Sequence, residues 1–314
     1  MNFKPYFYLV TGDQADNHTN LFSISFKHFN RTMNTKIKLL FLALLCLSMN
    51  GIAQQIQMPQ ASPSAKLIQK VGLTDVTVDF SRPSTKGRKI FGELVPFGQV
   101  WRTGANGATV VTFSTEVTIA GKKVPAGSYA LYSIPGKSSW TMILSKNTKL
   151  WGAIGYDPKD DFLRFTATPA KTSRLYDTFE IGFSKLTDAS ANLSIKWEQT
   201  RVEFTILTEV DSIVMADIKK QVIDAQSTNP ALLYQAANYY FTTNKDLGQA
   251  YTWIKQSTVA DPKYWTLHLQ AKIEMSLGKR TEALESANNS KKLAEEGKNI
   301  DYVGLNDRLI KSIK

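Results

Sequence analysis

Between Ser81 and Asn106 the chain reads S-R-P-S-T-K-G-R-K-I-F-G-E-L-V-P-F-G-Q-V-W-R-T-G-A-N. Five cations, Arg82, Lys86, Arg88, Lys89 and Arg102, stand here against a single carboxylate, Glu93. An excess of this kind attracts anions, and arginine forks grip planar carboxylate or phosphate groups through two parallel hydrogen bonds. The candidate ligand-binding residues are therefore Arg82, Lys86, Arg88, Glu93, Trp101, Arg102 and Asn106, and the expected ligand is anionic or a glycan. A second chemistry uses the same stretch: Glu93 as acid or base in glycan hydrolysis, with Arg88, Arg102 and Asn106 positioning substrate. A third reading is structural. The arginines would bond backbone carbonyls and pin the loop around Trp101 as its buried plug. Trp101 and Trp151 each divide between sugar platform and core.

Other reaction classes lack their residues. Only three histidines and one cysteine occur in the chain, and of these His268 alone lies beyond residue 53. Ser–His and Cys–His nucleophile pairs are therefore missing from the β-rich part, as are two nitrogen or sulfur ligands for zinc. His268 sits between Leu267 and Leu269 and reads as a helix residue, not a base. No glycine-rich loop follows a strand and opens a helix, so no nucleotide fold is expected. Asp157, Asp160 and Asp161 share one turn, but Lys159 interrupts them and the spacing is not that of a calcium loop, so a solvated turn is expected. No catalytic residue, cofactor or metal ligand is assigned.

The elements that must hold the loop divide the chain in two. From residue 64 to 207 the apolar period is two: Val76, Val78 and Phe80; Val111 and Phe113; Tyr129 and Leu131; Trp140, Met142 and Leu144. Further faces follow at Phe162–Thr168, Phe179–Phe183, Leu193–Trp197 and Val202–Ile206. About nine short strands, with turn residues at Gly121 and Pro125–Gly127, predict an antiparallel β-sandwich or jelly-roll-like domain. From 208 to 314 the period is 3.6, beginning with Ile213, Val214, Ile218 and Val222. Pro230 and Pro262, Ala237 and Ala271, and Ala250 and Ala283 recur at intervals of 32, 34 and 33 residues. That spacing resembles tetratricopeptide helix pairs, with two units and flanking helices, and predicts a helical domain docked on the sandwich and offering a face to a protein partner.

The first 53 residues carry an address. Met33–Lys38 is basic, Leu39–Met49 is an eleven-residue apolar run, and Gly51-Ile52-Ala53 supplies small residues. This is the pattern of a secretory signal peptide over 33–53, with Met33 as the expected start and 1–32 an upstream extension. The run is too short to span a bilayer, so no membrane span is expected after signal removal. Residues 54–63 form a lead-in. The exported chain has no cysteine and must rely on hydrophobic cores. Its charge is uneven: 54–207 hold 19 Lys/Arg against 12 Asp/Glu, whereas 208–314 hold 14 against 13. Basicity this local, on an exported chain, does not suit nucleic acid.

Four segments carry a resemblance: S-R-P-S-x-K-G-R-K-I-F-G-x-L-V-P at 81–96, F-G-Q-V-W-R-T-G-A-N at 97–106, G-K-K-V-P-A-G-S-Y at 121–129 and N-x-x-x-W-G at 147–152. Together they make residues 63–207 similar to a family of exported proteins catalogued as domain of unknown function 2911, whose members often carry helical repeats behind this domain. The resemblance implies a periplasmic or extracellular location and lends no activity. The expectation drawn from the whole is an exported, non-catalytic binding or scaffolding protein.

Overall fold

A computed structural model describes residues 58–313 together with Asn34; apart from Asn34, the predicted signal segment lies outside the described residues. Ten strands come first: β1 (Ser64–Val71), β2 (Thr74–Ser81), β3 (Thr109–Phe113), β4 (Val117–Ile119), β5 (Lys122–Val124), β6 (Gly127–Ile134), β7 (Trp140–Ser145), β8 (Asp161–Ala167), β9 (Ala170–Ser184) and β10 (Ser190–Thr208). They form a six-stranded sheet in the order β1-β2-β3-β6-β7-β8 and a four-stranded sheet in the order β5-β4-β10-β9. All the pairings are antiparallel. The first sheet is a meander interrupted once, where the β4–β5 hairpin crosses to the second sheet. That hairpin turns at Ala120 and Gly121, both with positive φ, the geometry that matches the twist of paired strands.

The alternating apolar residues meet between the sheets as predicted. Val76, Val78, Val111, Phe113, Leu131, Met142 and Leu144 from one sheet pack with Phe179, Leu193, Ile195, Val202 and Ile206 from the other. Two details differ from the sequence reading. The segment 64–71 is a strand, although its outward half is polar. The two apolar runs at 193–197 and 202–206 belong to one strand, because β10 continues through a bulge at Glu198 instead of turning. β6 differs more. Its inward residues Tyr129 and Leu131 lie in the main core, but Ala130 and Tyr132 on the opposite face are also fully buried. They pack with Ile143 against Val100, Ala108, Leu150, Ala153 and Tyr156, a second, smaller core on the outer face of the sheet.

The helical part comprises α1 (Asp211–Ile218), which runs into a wider π-helical turn at Lys219–Asp224, then α2 (Pro230–Thr242), α3 (Leu247–Ala260), α4 (Tyr264–Ser276), α5 (Arg280–Glu296) and α6 (Ile300–Ile313). Asn229 caps α2 by accepting from the amides of Ala231 and Leu232, with Pro230 pre-set at the first helical position. Asp246 caps α3 in the same manner. Small residues sit where helices cross: Ala236, Ala237 and Ala250 between α2 and α3, and Ala271, Ala283 and Ala287 between α4 and α5. The sandwich and helical cores are separate clusters, so the expected docking is not through a shared core. Within the helical part, Tyr239 Oη donates to Asp211 Oδ1 at 2.8 Å and Lys245 Nζ reaches the same carboxylate at 2.8 Å, tying the start of α1 to the end of α2.

Removal of a large ring from the sandwich core separates packing from surface effects. Phe91→Ala should cost about 3–5 kcal/mol in chemical denaturation. Leu175→Ala, at a position 59% exposed, should stay within about 0.5 kcal/mol of the parent.

Candidate functional site

A segment with this many glycines and prolines cannot run as a regular strand, so its backbone groups need other partners. The first limb, Arg82–Thr85, lies beside β9. Thr85 N donates to Asp177 O at 2.8 Å and Phe179 N to Pro83 O at 2.8 Å, so the limb bonds across from β2 of one sheet to β9 of the other. The Thr85 hydroxyl also donates to the Asp177 carboxylate. Arg82 Nε donates to Phe179 O at 3.1 Å. Arg88 Nε and Nη2 donate to Thr85 O and Ser84 O at 2.8 and 2.9 Å. Gly87, at φ 71°, makes the turn between them.

The segment then inserts Ile90, Phe91 and Val95 into the core. Gly92 has φ 93°, and a Cβ there would lie 2.7 Å from Phe97 Cε2, so only glycine lets that ring settle over the turn. Lys89 and Glu93 pair at 3.2 Å on the surface, both more than 60% exposed. Trp101 exchanges backbone hydrogen bonds with Ser133 of β6, at 2.7 and 2.9 Å, and its indole Nε1 donates to Gly104 O at 3.1 Å. Its ring meets Phe91, Trp140 and Phe179 edge-on and stacks on Trp197, with centroids 5.6–6.2 Å apart. Such pairs add about 0.5–1.5 kcal/mol each beyond the area they bury.

Residues 102–108 bulge outward before β3 begins. Arg102 Nη1 closes the bulge on Asn106 O at 2.8 Å. Asn106 Nδ2 donates to Ser62 O and Ser81 Oγ at 3.1 and 3.2 Å, tying the bulge to the start of β1 and the end of β2. The loop 146–157 folds onto this bulge from the other side. Gly107 bridges to Trp151, and Tyr132 Oη donates to Gly152 O at 3.2 Å. Gly152, at φ 78°, leaves room for the Arg102 guanidinium, whose Nη1 would be 2.8 Å from a Cβ. Farther along, Tyr156 Oη donates to Asp161 Oδ2 at 2.7 Å and accepts from Arg164 Nη2 at 2.8 Å. Burial, then the Asp161 carboxylate, pushes the Tyr156 phenol up to about 12. Trp151 and Ile154 stay outside this small core, 69% and 82% exposed.

The seven predicted residues thus share one segment without converging on one cleft. Arg82, Arg88 and Arg102 donate to carbonyl oxygens, Trp101 is core, Asn106 is a tie, Glu93 pairs with Lys89, and Lys86 points to solvent. The three aspartates of the 157–161 turn face different partners: Asp157 caps the turn at Lys159 N, Asp160 accepts from Asn147, and Asp161 holds Tyr156 and Arg164. His268, half-buried, bonds Asn306 Oδ1 at 2.8 Å, and its pKa is lowered chiefly by burial. The role of Tyr132, Tyr156 and Gly152 in holding the 146–157 loop was not visible in the sequence. It depends on a strand covered on both faces, which the alternation of β6 did not announce.

Residues 62–206 match the model of a family described as "Protein of unknown function (DUF2911)". No curated protein and no solved structure matched the chain.

Two measurements check these assignments. Arg102→Ala should destabilise the sandwich by about 1–3 kcal/mol, because it strips donors from a carbonyl inside the bulge. Tyr156, protonated past the usual phenol value of roughly 10, should support folding fully below that pH and lose its contribution as pH rises towards about 12. Tyr239 is likewise pushed up to about 12, by burial and the Asp211 carboxylate, so tyrosinate absorbance should show a late-titrating component that Tyr156→Phe reduces without abolishing.

Proposed function

We propose, for a sandwich that matches this family over residues 62–206, that the chain is an exported, non-catalytic binding or scaffolding protein. The observation that carries the reading is Trp151. It is a large aromatic ring 69% exposed, seated by backbone pairing to Gly107 and by the packed glycine beneath Arg102. A rigid exposed indole costs little entropy on binding and offers a flat face to the C–H side of a sugar. Arg102 and Lys149 add positive charge nearby, which suits an anionic or glycan ligand. Export is supported by the basic, apolar and small-residue pattern at 33–53.

The helical domain is assigned a protein partner. Its two hairpins, α2–α3 and α4–α5, follow the 32–34-residue spacing seen in the sequence and are read as tetratricopeptide-like. The half-buried side chains of Tyr234, Trp265, His268 and Tyr302 lie on α2, α4 and α6, the first helix of each unit and the terminal helix. Aromatic faces of this kind suit a protein surface. The competing reading, glycan hydrolysis through Glu93, draws no support from the geometry. Glu93 is exposed and paired with Lys89, while the Arg88 and Arg102 hydrogen bonds go to carbonyl oxygens.

Glycan-array or calorimetric screening with acidic and neutral oligosaccharides is the test. A ligand found for the parent should bind Trp151→Ala at least about tenfold more weakly, a loss of roughly 1.4 kcal/mol, at unchanged thermal stability. Undiminished binding by Trp151→Ala would remove the indole from the site.

A further inference from the structure

A second cleft opens at the other end of β7 from Trp151. It encloses about 320 Å³, near the lower end of the roughly 300–1,000 Å³ of small-ligand sites. Its floor is the edges of Phe91 and Trp140, and one wall is Phe97, 37% exposed and fixed over Gly92. Lys137, on the β6–β7 turn, and Lys171, near the start of β9, stand at its rim. Glu198 lies among the lining residues from β10.

Two features set this cleft apart from an ordinary gap between sheets. Among the described residues, Lys137, Lys171 and Glu198 make no ion pair and no side-chain hydrogen bond, whereas Lys196 and Arg201 of the same strand do pair, with Glu180 and Glu203. Glu198 also has φ 55°, and the β9–β10 register breaks on both sides of it. A left-handed non-glycine residue inside a strand is costly, and bulges of this type re-aim side chains next to functional sites.

We propose that this cleft binds a carboxylate-bearing sugar. The ring's C–H face rests on Phe97, the carboxylate meets Lys137 and Lys171, and the ring hydroxyls donate to Glu198. The charge balance selects this class. Two cations against one anion leave a single net positive charge, which matches one carboxylate. Glu198 repels a phosphate dianion, and no arginine fork lines the cleft to favour one. An apolar peptide side chain would fill the aromatic floor but leave Glu198 without a donor. The inference rests on the binding-protein reading and adds a surface separate from Trp151.

Titration calorimetry of the purified protein with a short oligogalacturonate, and with its methyl-esterified form, tests this. The acid form should bind, the ester should bind at least about tenfold more weakly, and Lys137→Ala/Lys171→Ala should weaken the acid form by about tenfold or more. Lys122→Ala, which removes an exposed charge on the β4–β5 hairpin, should leave binding unchanged. Phe97→Ala should weaken both forms. No binding of the acid form, or undiminished binding by the double-lysine variant, overturns the proposal. Loss in Trp151→Ala with none in the double-lysine variant also overturns it, and leaves the indole platform standing.

Discussion

The structure turns on how a glycine- and proline-punctuated segment satisfies its own backbone. Residues 82–106 cannot form a ladder, yet they insert Ile90, Phe91, Val95 and Trp101 between two sheets. Burying those side chains brings carbonyl groups away from water, and an unpaired carbonyl there costs as much as a lost hydrogen bond. Arginines provide the donors. Arg82 bonds Phe179 O on β9, Arg88 bonds two carbonyls of its own turn, and Arg102 closes the bulge on Asn106 O. The cation-rich stretch of the sandwich is therefore a brace, and the aromatic cluster around Trp101 is what it braces.

Both proposed ligand surfaces adjoin that brace. At one end the bulge at 102–108 receives the 146–157 loop, whose backbone bridges to it at Trp151, and the indole stands exposed outside the small outer core. Between its two limbs Phe97 stands over Gly92 and forms a wall of the cleft that Lys137, Lys171 and Glu198 line. The cations proposed to meet ligands are thus, in large part, not those of the motif. They are lysines of the β6–β7 turn and the start of β9 that form no ion pair among the described residues. The same logic leaves Glu93 without a task beyond its surface pair with Lys89.

Much of this was legible in the sequence, and the failures have physical causes. Period-two alternation located the strands because the sandwich buries one face of most of them. It misjudged β6 because Tyr129-Ala130-Leu131-Tyr132 is apolar on both faces, the mark of a strand covered by a loop as well as a sheet, and a period-two reading assigns only one of those faces to the core. It divided β10 in two because a bulge at Glu198 and a turn look alike when Glu198, Gln199 and Thr200 interrupt the apolar pattern. The structural role of the arginines was readable as one option, since arginine serves anions and carbonyls with the same fork. Which of the two it serves depends on partners up to 97 residues away, as for Arg82 and Phe179. The cleft had no local signature. Its six principal residues come from the motif, one turn and three strands.

Residue-resolved amide hydrogen exchange tests the central claim, that the Ser81–Asn106 segment is a rigid brace between the sheets and not a mobile recognition loop. The amides of Thr85, Val95, Trp101 and Phe179, all bonded to backbone carbonyls at 2.7–2.9 Å, should exchange as slowly as those of β6 and β7, by global unfolding alone. Fast exchange at Thr85, Val95 and Trp101 by local opening, with β6 and β7 still protected, would contradict it.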